Sequence, residues 1–134
     1  MNVEKWFAIP KISLNSLHFG MPRSKVRASL NLPFKSVFNP KIDIVPMDAY
    51  RNFHVFYDSN NLLEAIEFYS DVEIVLSKTT IFPGTIDIAL KKIPDLIFDG
   101  YDFWCSNNMS VGIGVAEDGK TIDSILFGTQ DYYK

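Results

Sequence analysis

The sequence predicts an α+β fold in which a strand, a short helix and a β-hairpin occur twice. Three observations support this prediction: two segments alternate like hairpins, a short helix pattern precedes each of them, and a shift of 59 residues superimposes the two hairpins. We expect the 134 residues to form a single domain, 1–134, with repeat one at about 1–70 and repeat two at about 71–134.

Each predicted hairpin has apolar alternation on both sides of a polar turn. Residues 53–57 and 62–69 flank a turn at 58–61, and residues 111–115 and 121–127 flank a turn that contains Asp118 and Gly119. Asp-Gly is a strong hairpin signal because both residues tolerate positive φ. The shift aligns Asp58 with Glu117, Asn60 with Gly119, Leu63 with Ile122, Glu64 with Asp123, Ile66 with Ile125 and Phe68 with Phe127.

A short helix is predicted before each hairpin. The first begins near Pro22 and ends near Leu30, because proline suits the first helical turn and Asn31 suits a left-handed cap. The second runs from Thr85 to Ile93 along an apolar stripe with i, i+3, i+4, i+7 spacing. Strand-like segments at 11–17 and 71–76 lead into the two helices.

These elements predict one antiparallel sheet with both helices packed on one face. Alternation assigns to the covered face Phe53, Val55, Ile66, Phe68, Val111, Ile113, Ile125 and Phe127. It assigns to the opposite face His54, Phe56, Leu63, Ala65, Tyr69, Gly112, Gly114, Ala116, Ile122, Ser124 and Leu126. This second face is unusually apolar for one that meets water, so we expect either the connectors or a partner to cover it.

Charge is distributed unevenly along the chain. Residues 1–41 carry a net charge of +6, whereas residues 42–134 carry −9. An acidic face can steer a basic partner, and a simply solvated surface is the equal alternative. Nucleic acid is not expected as a partner, because phosphate binding needs a concentrated basic surface.

The residue content argues against catalysis and metal binding. Cys105 is the only cysteine, and His18 and His54 are the only histidines. They cannot form a usual zinc set, and the aspartates lack the spacing of a calcium loop. No spacing pairs a nucleophile with a base, so we expect no enzyme activity and no cofactor.

A cytoplasmic protein without membrane association is expected. The single cysteine excludes an internal disulfide and so implies no oxidising compartment. The N-terminal residues lack the basic start and long apolar run of a secretory signal, and no apolar stretch is long enough to span a bilayer.

The segment 94–108 combines carboxylates with large aromatics and is the candidate recognition surface. Its aromatics could instead complete the core, which is the simpler interpretation. Tyr and Trp supply contact area at low entropic cost, and carboxylates match a basic target. The candidate partner-binding residues are Asp95, Asp99, Tyr101, Asp102 and Trp104 in this segment, with His54, Phe56 and Tyr69 on the apolar sheet face.

The segment 20–33 carries a resemblance to a known family. Its Gly20-Met21 pair, then Val26, Leu30 and Pro33, followed by a hairpin, resembles the start of the helix in tandem-repeat proteins similar to the β-lactamase inhibitor protein. Small outer-membrane assembly lipoproteins share this motif. The chain departs from the pattern at Pro22 and Asn31, and its second repeat keeps little of it.

The resemblance implies a binding protein that grips its target with an open sheet face. Bacterial toxin-immunity proteins are often small, acidic and similarly sheet-faced. We therefore expect an inhibitor or immunity protein that neutralises a basic bacterial toxin or enzyme by occluding its surface. The alternative is a small-ligand-binding α+β module that uses the second sheet face as a cavity wall.

Overall fold

The computed structural model describes residues 4–133, which form a mostly-β fold with two sheets and two helices. The first part of the chain contains β1 (Glu4–Ile9), β2 (Ser13–Leu14), β3 (Leu17–His18), α1 (Arg23–Leu30), β4 (Lys35–Val37), β5 (Met47–Ala49), β6 (Phe53–Tyr57) and β7 (Leu63–Phe68). The second part contains β8 (Val72–Leu76), β9 (Thr79–Phe82), α2 (Ile86–Lys92), β10 (Ile97–Phe98), β11 (Phe103–Ser106), β12 (Val111–Val115) and β13 (Ile122–Gly128).

The strands form two sheets, so the prediction of one antiparallel sheet is wrong. The larger sheet has the order β10-β11-β12-β13-β7-β6-β5-β4 and the smaller has the order β3-β2-β1-β8-β9. All pairs in the larger sheet are antiparallel, whereas β1 and β8 are parallel in the smaller one. The strand-like segments predicted before the two helices therefore belong to the smaller sheet, as β2, β3 and β8. They are joined there by β1, which was not predicted and which pairs with β8.

Both predicted hairpins are present, and their turns are stabilised by aspartate side chains. The carboxylate of Asp58 accepts the backbone N–H groups of Asn60 and Leu62 at 2.8 and 3.0 Å. The carboxylate of Asp118 accepts those of Lys120 and Thr121, both at 2.8 Å. These hydrogen bonds satisfy backbone N–H groups of the two turns, where no neighbouring strand is available to accept them.

A β-bulge lies next to the turn in each hairpin and changes which face some side chains occupy. Pairing passes from Phe56–Ala65 to Tyr57–Leu63, which leaves Glu64 as the extra residue. In the β12–β13 hairpin, the residue pairs pass from Gly114–Ser124 to Val115–Ile122, which leaves Asp123 as the extra residue. Strict alternation placed Leu63 and Ile122 on the apolar outer face, but the bulges turn both into the core.

The two helices begin on the hairpins in the same way. The N–H of Arg23 donates to the carbonyl of Asn61 at 2.9 Å, and the N–H of Ile86 donates to that of Lys120 at 2.8 Å. As predicted, Asn31 caps α1 in the left-handed region, with φ 49°. Thr85 precedes α2 in extended conformation, but its side chain makes no capping hydrogen bond.

The core fills the space between the sheets, on one face of the larger sheet. All eight predicted inward side chains of the two hairpins are buried there. Val26 of α1 and Ile86 and Ala89 of α2 join the same cluster, as does Trp6 of β1. The Trp6 ring packs against those of Phe53 and Phe68, with centroid separations of 5.1 and 5.0 Å.

The C-terminal residues fold over the other face of the larger sheet, which we call the outer face. A Cβ atom at Gly112 would collide with the Tyr133 hydroxyl and the Phe103 ring, and one at Gly128 would lie 2.5 Å from Cγ of Tyr132. Two glycines thus let two tyrosines lie flat against the strands. The C-terminal residues thus cover part of the apolar face, whereas the expectation from the sequence was a connector or a partner.

Neither helix within residues 4–133 is long and apolar enough to cross a membrane.

We predict that Gly128→Ala will displace Tyr132 and destabilise the protein by about 1–3 kcal/mol, the usual range for overpacking. Urea unfolding should show the loss, and amide hydrogen exchange should show faster exchange at Tyr132, whose N–H now donates to Thr129 at 3.1 Å. Ser124→Ala on the same face is the control, with an expected change within about 0.5 kcal/mol. Equal stability of the two variants would contradict this packing.

Candidate functional site

The candidate recognition segment forms a hairpin, β10–β11, at one end of the larger sheet. Its turn is held by Asp99, whose carboxylate accepts the N–H groups of Tyr101 at 2.8 Å and Phe103 at 3.2 Å. These backbone hydrogen bonds hold the pKa of Asp99 below its ordinary value. Tyr101 at the tip is 87% exposed, and Asp102 beside it is also exposed. The turn is therefore an ordered support for an exposed aromatic side chain.

Trp104 lies differently from the other candidates in this hairpin. It pairs with Ile113 in the ladder and so shares the core-facing side of the sheet. Its ring lies 5.0 Å from that of Phe98 and packs against the core cluster, and Trp104 is half-buried. Its indole nitrogen is buried and has no hydrogen-bond partner among residues 4–133. Trp104 thus mainly completes the core at the sheet edge.

Asp95 and Cys105 serve the structure around this hairpin. The carboxylate of Asp95, though exposed, accepts a hydrogen bond from the Ser106 hydroxyl at 2.9 Å, and Ser106 accepts the N–H of Met109 at 3.0 Å. Cys105 lies 3.6 Å from the amide oxygen of Asn107. Burial, followed by the charge of Asp95, raises the pKa of the Cys105 thiol, which disfavours the reactive thiolate.

His54, Phe56 and Tyr69 form a second, separate group on the outer face. The rings of His54 and Tyr69 lie 4.8 Å apart, and the Tyr69 hydroxyl donates to the carbonyl of Tyr50 at 3.1 Å. Strands β12, β13 and β7 lie between this group and β11. At the usual strand spacing the two groups are about 19 Å apart. The structure therefore divides the predicted site residues between two surfaces.

A charged cluster that the sequence analysis did not identify holds α1 against β5 and β6. Asp48 is fully buried and accepts two hydrogen bonds from Arg27, from Nε at 2.9 Å and from Nη2 at 2.8 Å. It accepts a third from the hydroxyl of Tyr57 at 3.0 Å, and Arg23 approaches to 3.5 Å. Burial, then the charge of Asp48, raises the pKa of the Tyr57 hydroxyl, so Tyr57 stays a donor.

The same arginines line a cleft of about 600 Å³ between α1 and the connector before β5. Arg23 donates to the carbonyl of Pro46 at 2.7 Å, and its guanidinium lies 4.1 Å from the centroid of the Tyr57 ring. Arg27 lies similarly over Phe34, at 4.4 Å. The sequence held one signal for this cluster, two arginines at i and i+4 on a helix without acidic residues in its first turn. It did not identify their partner, because Asp48 lies 21 residues away from Arg27. These contacts assign the cluster a structural role.

The two histidines and the cysteine lie on three different strands, β3, β6 and β11. Within residues 4–133 no group of three or more His, Cys, Asp and Glu side chains could hold a metal ion. His18 is exposed on β3 in the smaller sheet, and His54 lies on the outer face of the larger one. The features suited to binding on the described surface are the exposed aromatic Tyr101, the exposed carboxylates of Asp99 and Asp102, and the sheet edge at β10.

Comparison with protein-family models, with curated proteins and with solved structures found no match to this chain.

We predict that Asp48→Asn will destabilise the protein by about 3 kcal/mol or more, because it leaves Arg27 and the mostly buried Arg23 without their counter-charge. Chemical denaturation at neutral pH measures the loss. Glu117→Gln, which removes an exposed carboxylate in a turn, should change stability by less than about 0.5 kcal/mol. If Asp48→Asn is as stable as Glu117→Gln, then the cluster does not hold α1 in place.

We also predict different effects on stability at two of the four aromatic residues of the β10–β11 hairpin, Tyr101 and Trp104. Trp104→Ala should cost about 2 kcal/mol, somewhat less than truncation of a fully buried Trp, because the ring is only partly enclosed. Tyr101→Ala should leave the free energy of unfolding unchanged within about 0.5 kcal/mol. Urea melts of the two variants decide this. A large loss at Tyr101 would place its ring in the core instead.

Proposed function

We propose that this chain is a protein-binding inhibitor or immunity protein that occludes a basic surface of a bacterial toxin or enzyme. The observation that carries the proposal is the β10–β11 hairpin, which presents exposed aromatic and apolar side chains together with carboxylates on an ordered sheet edge. Ile97 is 72% exposed and Phe98 is also exposed, as is Tyr101 at the turn. We further propose a cytoplasmic location, on the basis of the single free cysteine.

The chemistry of this edge favours a basic protein over other partners. Asp99 and Asp102 are exposed in the turn with Tyr101, and Asp95 is exposed near Ser106 at the other end of the hairpin. Residues 42–134 carry a net charge of −9. Carboxylates would repel nucleic-acid phosphates but would attract a Lys-rich or Arg-rich surface and speed the encounter with it. An exposed Tyr is a typical anchor of protein interfaces.

The backbone of β10 offers a further mode of contact. This strand ends the larger sheet, so one of its sides is not paired with another strand of the sheet. An unpaired edge can accept a strand from another protein through main-chain hydrogen bonds, with adjacent side chains supplying specificity. The side chains of Ile97 and Phe98 lie directly at that edge.

We also propose that the chain arose by internal duplication, as in the tandem-repeat inhibitors that its sequence resembles. The larger sheet supports this: β7 and β13 pair at its middle, and three further strands follow outward on each side. The bulge residues Glu64 and Asp123 are separated by the same 59 residues as the aligned hairpins.

The contacts at the helix starts support the duplication independently. The N–H of Leu63 donates to the carbonyl of Met21, and the N–H of Ile122 donates to that of Gly84, both at 2.9 Å. The N–H of the first residue of each helix, Arg23 or Ile86, donates in turn to the carbonyl of Asn61 or Lys120, two positions before the donating strand residue. Equivalent hydrogen bonds at equivalent positions are expected of two copies of one unit.

The alternative function is a small-ligand-binding module. It is favoured by the groove of about 260 Å³ on the outer face, where Phe56 and Leu126 form an apolar floor. A ligand that binds only the folded protein raises its melting temperature by mass action. Thermal-shift screening with small molecules therefore separates this alternative from protein binding.

We predict that Tyr101→Ala will weaken binding of the protein partner by about 2 kcal/mol or more while leaving stability intact. The partner is sought by affinity capture from source cells and among the products of neighbouring genes, with wild-type protein and Tyr101→Ala as parallel baits. The proposal is wrong if no protein is retained, or if both baits retain the same proteins equally.

A charge variant tests the steering role of the same edge. Asp102→Asn should mainly slow association with the captured partner and flatten its dependence on salt, because rim charges act before contact. Asp102 is the cleaner choice, since Asp99 also holds the turn through two backbone hydrogen bonds. Stopped-flow association at several salt concentrations measures the effect, with Glu117→Gln as a control. An unchanged salt dependence in Asp102→Asn would remove steering from the proposal.

A further inference from the structure

A groove runs along the outer face between the connector that precedes β5 and the strands β6, β7 and β13. Its volume is about 260 Å³. Phe56 and Leu126 line it on the sheet side, and Tyr132 of the C-terminal tail also belongs to its lining. On the connector side, Ile42 and Ile44 are 78% and 77% exposed although the connector is held by backbone hydrogen bonds from 42 and 43 to Asn39. Part of the groove wall is therefore apolar and aromatic.

Three carboxylates line this groove, and none has a cationic partner among residues 4–133. Asp43, Glu64 and Glu67 all belong to its lining, and within residues 4–133 none of them forms an ion pair. Burial raises the pKa of the Tyr132 hydroxyl, and the charges of the same three carboxylates raise it further. Glu64 is the extra residue of the β7 bulge, and burial raises its pKa as well. Negative charge is thus concentrated beside an apolar surface, without a paired cation among the described residues 4–133.

Folding raises the pKa of Glu64 and so disfavours its charged form in the free protein. A carboxyl group whose pKa is raised by folding favours the folded state only when protonated, and that contribution is lost as the pH rises through the folded pKa. At neutral pH Glu64 therefore opposes folding. A cation brought into the groove would remove the penalty, and an aliphatic stem behind the cation would cover Phe56 and Leu126.

We propose that this groove receives a lysine or arginine side chain of the protein partner, with its stem against Phe56 and Leu126 and its charged head between Glu64 and Glu67. The inference rests on the proposed function and extends it, because it gives the partner a basic anchor residue at a second surface. Lys and Arg are the side chains that combine a long apolar stem with a positive head, and either can also stack on the ring of Tyr132.

The test uses two small probes that differ only in the charged group. Nα-acetyl-lysine N-methylamide and Nα-acetyl-norleucine N-methylamide are titrated separately into the ¹⁵N-labelled full chain at low ionic strength, and backbone amide shifts are followed by NMR. The lysine probe should shift the amides of Phe56, Glu64, Glu67 and Leu126 in a saturable manner in the millimolar range. The norleucine probe should shift them much less.

Matched variants localise the binding. Glu64→Gln should lower the affinity for the lysine probe by about fivefold, the effect of losing roughly one partly screened charge contact. It should also raise the melting temperature at neutral pH, whereas a merely structural carboxylate would lower it on removal. Glu67→Gln should also lower the affinity for the lysine probe, and it changes a residue in the regular part of β7, outside the bulge. Glu117→Gln, an equal charge change in an exposed turn, should leave probe affinity unchanged.

The inference is overturned if both probes shift the groove equally, or if the lysine shifts spread over the acidic surface and do not respond to Glu64→Gln and Glu67→Gln. These results are independent of the capture experiment on Tyr101, because the probes need no partner. If the lysine probe binds in the groove but no protein is captured, the proposed inhibitor role is wrong and the groove is a cation-binding site only. If a protein is captured but the lysine probe does not bind, only the proposal for the groove is wrong.

Discussion

The pairing of β7 with β13 is the constraint on which the rest of the structure depends. Four residue pairs, from Ile125–Phe68 to Gly128–Ala65, join the first and second parts of the chain at the middle of the larger sheet. This junction gives both hairpins one common inner face, on which the helices and the smaller sheet pack. It also creates the continuous outer face and moves β10 to an exposed end, so both proposed binding surfaces follow from it.

The parts that the sequence predicted are those governed by local physics. Alternation identified the two hairpins and all eight of their core side chains, and helix capping rules placed Pro22 and Asn31 at the ends of α1. Tyr101 is exposed, as the recognition hypothesis for segment 94–108 requires, although completion of the core was the simpler interpretation. Local spacing is sufficient for such features because each depends on neighbours a few residues away.

The parts that the sequence did not predict depend on distant pairs or on single-residue irregularities. The parallel pairing of β1 with β8 joins segments almost seventy residues apart, so the smaller sheet was not predicted. Asp48 meets Arg27 only after α1 folds back on the sheet. One extra residue at Glu64 reverses the face of Leu63, which period-two alternation cannot foresee. Trp104 packs against the core, one of the two interpretations that the sequence left open, because strand register pairs it with Ile113.

Native-state hydrogen exchange as a function of denaturant tests most directly whether one shared core unites the two parts. The account predicts that the inner-face amides of β6 and β7 and those of β12 and β13 exchange only through the same global unfolding, with equal free energies and equal denaturant dependence. The contradictory result is that one hairpin opens at a clearly lower free energy while the other stays protected. In that case the parts would be separate units, and the β7–β13 pairing would not be the joint that creates the sheet, its outer face and its edge.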